Sequence, residues 1–157
     1  MVMSLEPGAP APDFNLPTDG RDGASLAALK GKIVVMYFYP KDDTSGCTSE
    51  AVAFSESKAA FDAAGAMVIG VSKDSVASHA KFRAKYDLTI ELASDVDGEV
   101  VEAYGVWIEK SMYGRKYMGI DRSTFLIDRQ GVIQRVWRKV KVPGHVQEVL
   151  EAVQALG

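Results

Sequence analysis

The chain has 157 residues, 47% of them hydrophobic and 25% charged, with a net charge of −3 and an isoelectric point near 5.4. Those values describe one globular domain over residues 1–157, long enough to bury roughly 70% of its unfolded surface without a disulfide or metal staple. They exclude the basic signature of a nucleic-acid or anionic-membrane binder, and the longest apolar run, residues 33–39, falls far short of a membrane span.

The start, rich in proline and glycine (Pro7, Gly8, Pro10, Pro12, Pro17), reads as irregular lead-in that covers the fold. Its first residues show neither the basic region nor the apolar core of a secretory signal. With one cysteine and no signal, a reducing cytoplasm is the expected location. Ile33-Val-Val-Met-Tyr-Phe-Tyr39 is β-branched and aromatic on both faces, which predicts a central strand covered on both sides. Met67-Val-Ile-Gly-Val71 has the same character. Between them, residues 49–64 place Ala51, Phe54, Phe61 and Ala64 on one helical face, and Gly65 stands where a helix end favours a left-handed residue. This is a strand–helix–strand unit, hence a parallel, right-handed crossover. A second helix is expected over residues 75–86, capped by Asp74 or Ser75. Residues 124–128, the turn Asp128-Arg-Gln-Gly131 and residues 132–137 read as an antiparallel hairpin. Pro143-Gly144 then opens a last helix with Val146, Val149, Leu150, Val153 and Leu156 on one face. The order predicts an α/β, thioredoxin-like fold: a central mixed sheet flanked by helices.

The first strand runs into Tyr39-Pro-Lys-Asp-Asp-Thr-Ser-Gly-Cys-Thr-Ser-Glu50, and the helix is expected to begin near Gly46 or Cys47. Cys47 then lies in or beside the first turn, where unpaired N–H groups and the helix dipole favour an anion such as a thiolate. The context also predicts an exposed thiol in an electropositive pocket. Magnitudes limit the helix: moving a free thiol from about 8.5 to about 6 takes roughly 3.4 kcal/mol, against about 0.3–1 kcal/mol from a helix end. A cation or further hydrogen bonds must supply the difference.

Pro40, Thr44 and Cys47 form a P-x-x-x-T-x-x-C pattern that resembles the peroxiredoxin signature. The longer string from Phe38 to Glu50 resembles the peroxiredoxin Q (bacterioferritin comigratory protein) subfamily. Three other stretches agree: Pro12-Asp-Phe-Asn-Leu16, Lys110-Ser-Met-Tyr-Gly-Arg-Lys-Tyr-Met118 and Arg122-Ser-Thr-Phe-Leu-Ile-Asp128. The resemblance implies a thiol peroxidase in which Cys47 attacks a hydroperoxide and becomes a sulfenic acid. It further implies that Thr44 places its hydroxyl on the thiolate and the peroxide, and that Arg122 supplies the missing cation. Pro40 would shield the pocket and Glu50 would hold Arg122. Each residue has a plainer reading: a helix cap for Thr44, a surface charge for Arg122, a strand end for Pro40, a solvated helix position for Glu50. His79 and His145 read as surface or capping residues. No spacing suggests a metal site, and no cofactor is expected.

The chain departs from the subfamily where it commonly carries a resolving cysteine: five positions after Cys47 stands Val52, and the stretch from His79 to Tyr86 has none. Ser45 replaces the usual proline. One cysteine forms no intramolecular disulfide, so the sulfenic acid would need an outside thiol: thioredoxin, glutaredoxin with glutathione, or another small thiol. A monomer or weak homodimer is expected. The alternative is a redox-sensing or chaperone-like binding protein switched by Cys47 oxidation. A C-x-x-C reductase is disfavoured by Thr44 at the other cysteine's place, and a papain-like hydrolase by the lack of a histidine in a suitable motif.

Overall fold

The computed structural model describes residues 5–19 and 23–156; the first four residues, part of the reading for a leader segment, lie outside it. The expected strand–helix–strand unit is present. Strand β3 (Ile33–Phe38) pairs in parallel with β4 (Ala66–Ser72), and the connection carries α1 (Ser45–Glu56) and α2 (Lys58–Ala63). The helix face read over residues 49–64, with a start expected near Gly46 or Cys47, belongs to a helix that begins at Ser45 and is broken at Ser57. Ser57 N–H points to both Ala53 O and Phe54 O, and the chain turns there while Phe54 and Phe61 stay in ring contact at 5.8 Å. Gly65 closes the unit in the left-handed conformation, φ 78°.

Helix α3 (Val76–Tyr86) follows, with Ser75 Oγ accepting from Ser78 N–H as its cap, and leads to β5 (Glu91–Ser94), parallel to β4. The expected hairpin is β8 (Ser123–Ile127) and β9 (Ile133–Trp137), with β8 antiparallel to β3. The sheet order β5-β4-β3-β8-β9 is therefore mixed, with β3 central. The short pair β1 (Asn15–Leu16) and β2 (Ala24–Ser25), helix α4 (Glu99–Ala103) and a separate hairpin of β6 (Trp107–Met112) and β7 (Arg115–Ile120) were not foreseen. α5 (His145–Leu156) closes the fold; Val146, Val149, Leu150 and Val153 are buried, whereas Leu156 is exposed.

Alternation along β3 divides the core into two layers. Val34, Met36 and Phe38 face α4 and the N-terminal segment, with Phe125, Val101 and Tyr104. Ile33, Val35, Tyr37 and Tyr39 face the helices α1, α2 and α5, with Phe54, Phe61 and Val149. All six residues of β3 are buried, which is why its sequence is apolar without alternation. Gly70, paired with Tyr37, makes room for that ring: a Cβ there would lie 2.7 Å from Tyr37 Cζ. Among the described residues no helix is long and apolar enough to cross a membrane.

Candidate active site

Register brings the site together. β8 begins with Ser123 opposite Phe38, the last residue of β3, so Arg122 lies beside the loop that leads into α1. Arg122 is held at its backbone, where its O accepts from Val140 N–H at 2.9 Å. Its guanidinium points across to α1: Nη2 donates to Cys47 Sγ at 3.4 Å and Nη1 to Glu50 Oε1 at 2.8 Å. Cys47 and Glu50 are three residues apart on α1 and share a face. Gly46 permits this approach, since a Cβ there would stand 3.0 Å from Arg122 Nη2. The structure thus brings three of the expected site residues into one chain of contacts.

The electrostatics follow from burial. Glu50 is fully buried, and desolvation pushes its carboxyl up to about 7 from 4.5, opposed by the charge and hydrogen bonds of Arg122. Burial works against the Arg122 charge, but Glu50 and Cys47 outweigh it and hold the guanidinium above its ordinary value. Lys110 on β6 also lies within the field of this cluster. Its ammonium is drawn down by burial first, with Asp121 and Cys47 favouring the charge and Arg122 opposing it.

Three expectations need correction. The Cys47 thiol is not exposed: it is 1% accessible, packed in the layer of Tyr37, Tyr39, Phe54 and Val146, because the first turn of α1 faces the sheet. Thr44 is the backbone N-cap of α1, yet its hydroxyl neither caps the helix nor reaches the sulfur; it donates to Lys41 O at 2.8 Å, closing the loop on itself. Both histidines are buried rather than superficial, at 0% for His79 and 6% for His145. His145 Nε2 meets Thr124 Oγ1 at 2.8 Å, and burial lowers its imidazole to about 4, so it is neutral over the ordinary pH range. His79 Nδ1 meets Asp42 Oδ2 at 2.7 Å. Pro40 is exposed at the end of the strand, before the loop. Sequence reading also missed Asp42 and Gly46: nothing local distinguishes Asp42 from an ordinary loop residue or Gly46 from an ordinary first-turn glycine of α1. Val52 is half-buried, and Arg83 is engaged by Asp19, Leu88 O and Ile90 O. Among the described residues no group of histidine, cysteine, aspartate and glutamate is arranged to hold a metal ion.

The helix start and the guanidinium favour a thiolate nucleophile at Cys47, against the apolar enclosure that disfavours the anion. Comparison with known proteins gives the family. Residues 7–136 match the model of the AhpC/TSA family. The peroxiredoxin Bcp of Bacillus subtilis is 46% identical over 152 residues, 97% of each chain. That of Xanthomonas campestris is 47% identical over 148 residues, 93% of this chain and 92% of the relative. Among solved structures, a PrxQ mutant of Xylella fastidiosa superposes with a TM-score of 0.92 at 39% identity over 98% of both chains. The bacterioferritin comigratory protein of Xanthomonas campestris, solved as trapped intermediate and ligand complexes to study its alkyl peroxide reduction activity, does so at 0.86, with 45% identity over 91% of both chains.

Proposed function

This chain belongs to the AhpC/TSA family and is a thiol-dependent peroxidase of the Bcp type, and on that footing we propose that Cys47 carries the reaction by a one-cysteine route. The observation that carries this reading is the contact of Arg122 with both Cys47 Sγ and Glu50 at the start of α1. In the first step the Cys47 thiolate attacks the terminal oxygen of a hydroperoxide. The S–O bond forms as the O–O bond breaks; sulfur gives up two electrons, and the departing alkoxide or hydroxide takes a proton to leave as alcohol or water. Arg122 stabilises the thiolate before attack and the negative charge that spreads onto the peroxide oxygens during it. Thr44, on the neighbouring loop, orients the peroxide once its hydroxyl leaves Lys41 O. Pro40 limits water at the mouth, and Glu50 fixes the guanidinium plane. The two-electron step balances with sulfur alone as donor, so no cofactor is invoked.

Regeneration falls to a thiol from outside. Neither Val52 nor Arg83 can resolve the sulfenic acid, and the sequence holds no second cysteine. An external thiol condenses with the sulfenic acid, releasing water and leaving a mixed disulfide. A second thiol then releases Cys47 and forms the oxidised reductant. Thioredoxin, glutaredoxin with glutathione, or a small thiol all fit this chemistry. We place the protein in a reducing cytoplasm, acting over residues 1–157 as one domain and as a monomer or weak homodimer.

Intact mass spectrometry after one equivalent of peroxide, with no reductant, tests the route. A dimedone-reactive monomer is expected, moving to the sulfinic acid as peroxide is raised. Near-complete conversion to a reducible dimer would show that a second chain resolves the sulfenate.

A further inference from the structure

We propose that His79, paired with Asp42, is a positioning residue for peroxide reduction: it fastens the loop of residues 40–44 to α3 and so sets where Thr44 and Pro40 stand relative to Cys47. This rests on the assignment of Cys47 as the peroxide-reacting sulfur.

The pair is deeply placed, with His79 at 0% and Asp42 at 7% exposure, so each polar atom requires a partner. Each has one. Asp42 Oδ1 accepts from Tyr39 O–H at 2.7 Å, and Oδ2 accepts from Ser78 O–H at 2.8 Å while facing His79 Nδ1 at 2.7 Å. His79 Nε2 lies 3.0 Å from Ala93 O, which only accepts, so Nε2 carries a hydrogen. Nδ1 therefore faces a carboxyl oxygen with one proton held between them, whichever atom bears it. The Asp42 N–H donates to Asp74 Oδ2 at 2.8 Å, and Ser72 O–H holds that same oxygen at 2.7 Å. The histidine thus joins three elements: the loop through Asp42, its own helix α3, and β5 through Ala93.

What is fastened is the loop, not the sulfur. Asp42 lies two residues before Thr44, and Asp43 between them has φ 59°, a left-handed conformation that a non-glycine residue holds only when its surroundings impose it. The far end of α3 imposes it from the other side: Lys85 Nζ and Tyr86 O–H donate to Asp43 at 2.8 and 2.6 Å. The loop is therefore gripped at adjacent residues by the two ends of one helix. Thr44, next in the chain, bonds back to Lys41 within the same loop, so its hydroxyl moves as the loop moves. Among the described residues, Arg122 is the side chain that is hydrogen-bonded to Cys47.

Two reactions of the same sulfur separate loop placement from sulfur reactivity. Iodoacetamide needs the thiolate but not an oriented O–O bond, whereas hydrogen peroxide needs both. Single-turnover oxidation and alkylation of Cys47 are followed by intact mass in wild type, His79→Phe, Asp42→Asn and Tyr39→Phe. The last removes one hydroxyl and keeps the ring, so it reports even where the first two fold poorly. For His79→Phe and Asp42→Asn the peroxide rate is expected to fall about tenfold, within the range that a small misplacement costs, with alkylation unchanged or faster. Tyr39→Phe should lower the ratio of the two rates in the same direction by a smaller factor. An unchanged ratio in all folded variants, whether both rates hold, fall or rise together, would overturn the inference. Failure of wild-type Cys47 to react with peroxide would instead overturn the assignment of the sulfur, without bearing on the loop.

Discussion

Cys47 has two supports of opposite kind. On the β8 side Arg122 touches the sulfur itself, and its charge is held by a carboxylate that water does not reach. On the loop side, residues 40–44 form no side-chain hydrogen bond to the sulfur, and their order comes from α3 through Ser78, Lys85, Tyr86 and the Asp42–His79 pair. A charge in a site with little water acts strongly on an anion without exact placement. A hydroxyl acts only where its direction is right. Anion stabilisation and substrate orientation are therefore built on separate elements of the fold, so that mutations should separate them.

Cys47→Ser leaves neither support a sulfur to act on. Peroxide consumption should vanish while the far-ultraviolet circular dichroism spectrum is retained. Residual turnover would remove Cys47 from the chemistry.

Arg122→Gln should slow both peroxide oxidation and iodoacetamide alkylation, the former at least tenfold, roughly the 1.4 kcal/mol of one strong charge contact. A loss confined to peroxide would move Arg122 to the orienting side, and the two supports would not differ in kind. Thr44→Val acts from the loop side alone. Several-fold slower peroxide oxidation, unchanged alkylation and a nearly unchanged thermal midpoint are expected, because the exposed hydroxyl is bonded within its own loop and does not cap α1. A large stability loss with unchanged rate would make Thr44 a structural residue only.

The two sides also differed in how far they could be read from residues alone. The strand from Ile33, the glycine turn at Gly65 and the helix start beside Cys47 carry local signals, and all three are present. Arg122 is 75 residues from Cys47 and was reachable only through resemblance, because register across β3 and β8 makes the contact. His79 was misjudged for the same reason: its partners Asp42 and Ala93 come from other elements, and helix α3 has too few apolar residues to announce which face is inward. The β6–β7 hairpin was missed because its residues are largely exposed or half-buried and mix apolar with charged side chains, so neither alternation nor a continuous apolar run marks it. Its turn, Tyr113-Gly114, has φ 53° and 79°, a geometry that Asn-Gly would have advertised and Tyr-Gly does not.

The charged side alone is also read in stability against pH. The Glu50 carboxyl is raised from 4.5 to about 7 in the folded protein, so folding binds its proton more tightly. Its contribution is full below 4.5 and is lost as pH rises through 7, at up to about 1.4 kcal/mol per pH unit between. His145 runs the other way: its imidazole is lowered from 6.5 to about 4, so its contribution is present above 6.5 and is lost as pH falls toward 4. Between pH 4.5 and 6.5 the two slopes oppose, and the wild type should be nearly level there, then lose stability toward neutral pH. Glu50→Gln removes one slope and leaves the other. Its urea midpoint should fall on going from pH 6.5 to 5, and it should be flat above 7. Parallel wild-type and variant profiles over pH 5 to 8 would mean that Glu50 keeps its charge throughout, with Arg122 overcoming the cost of burial.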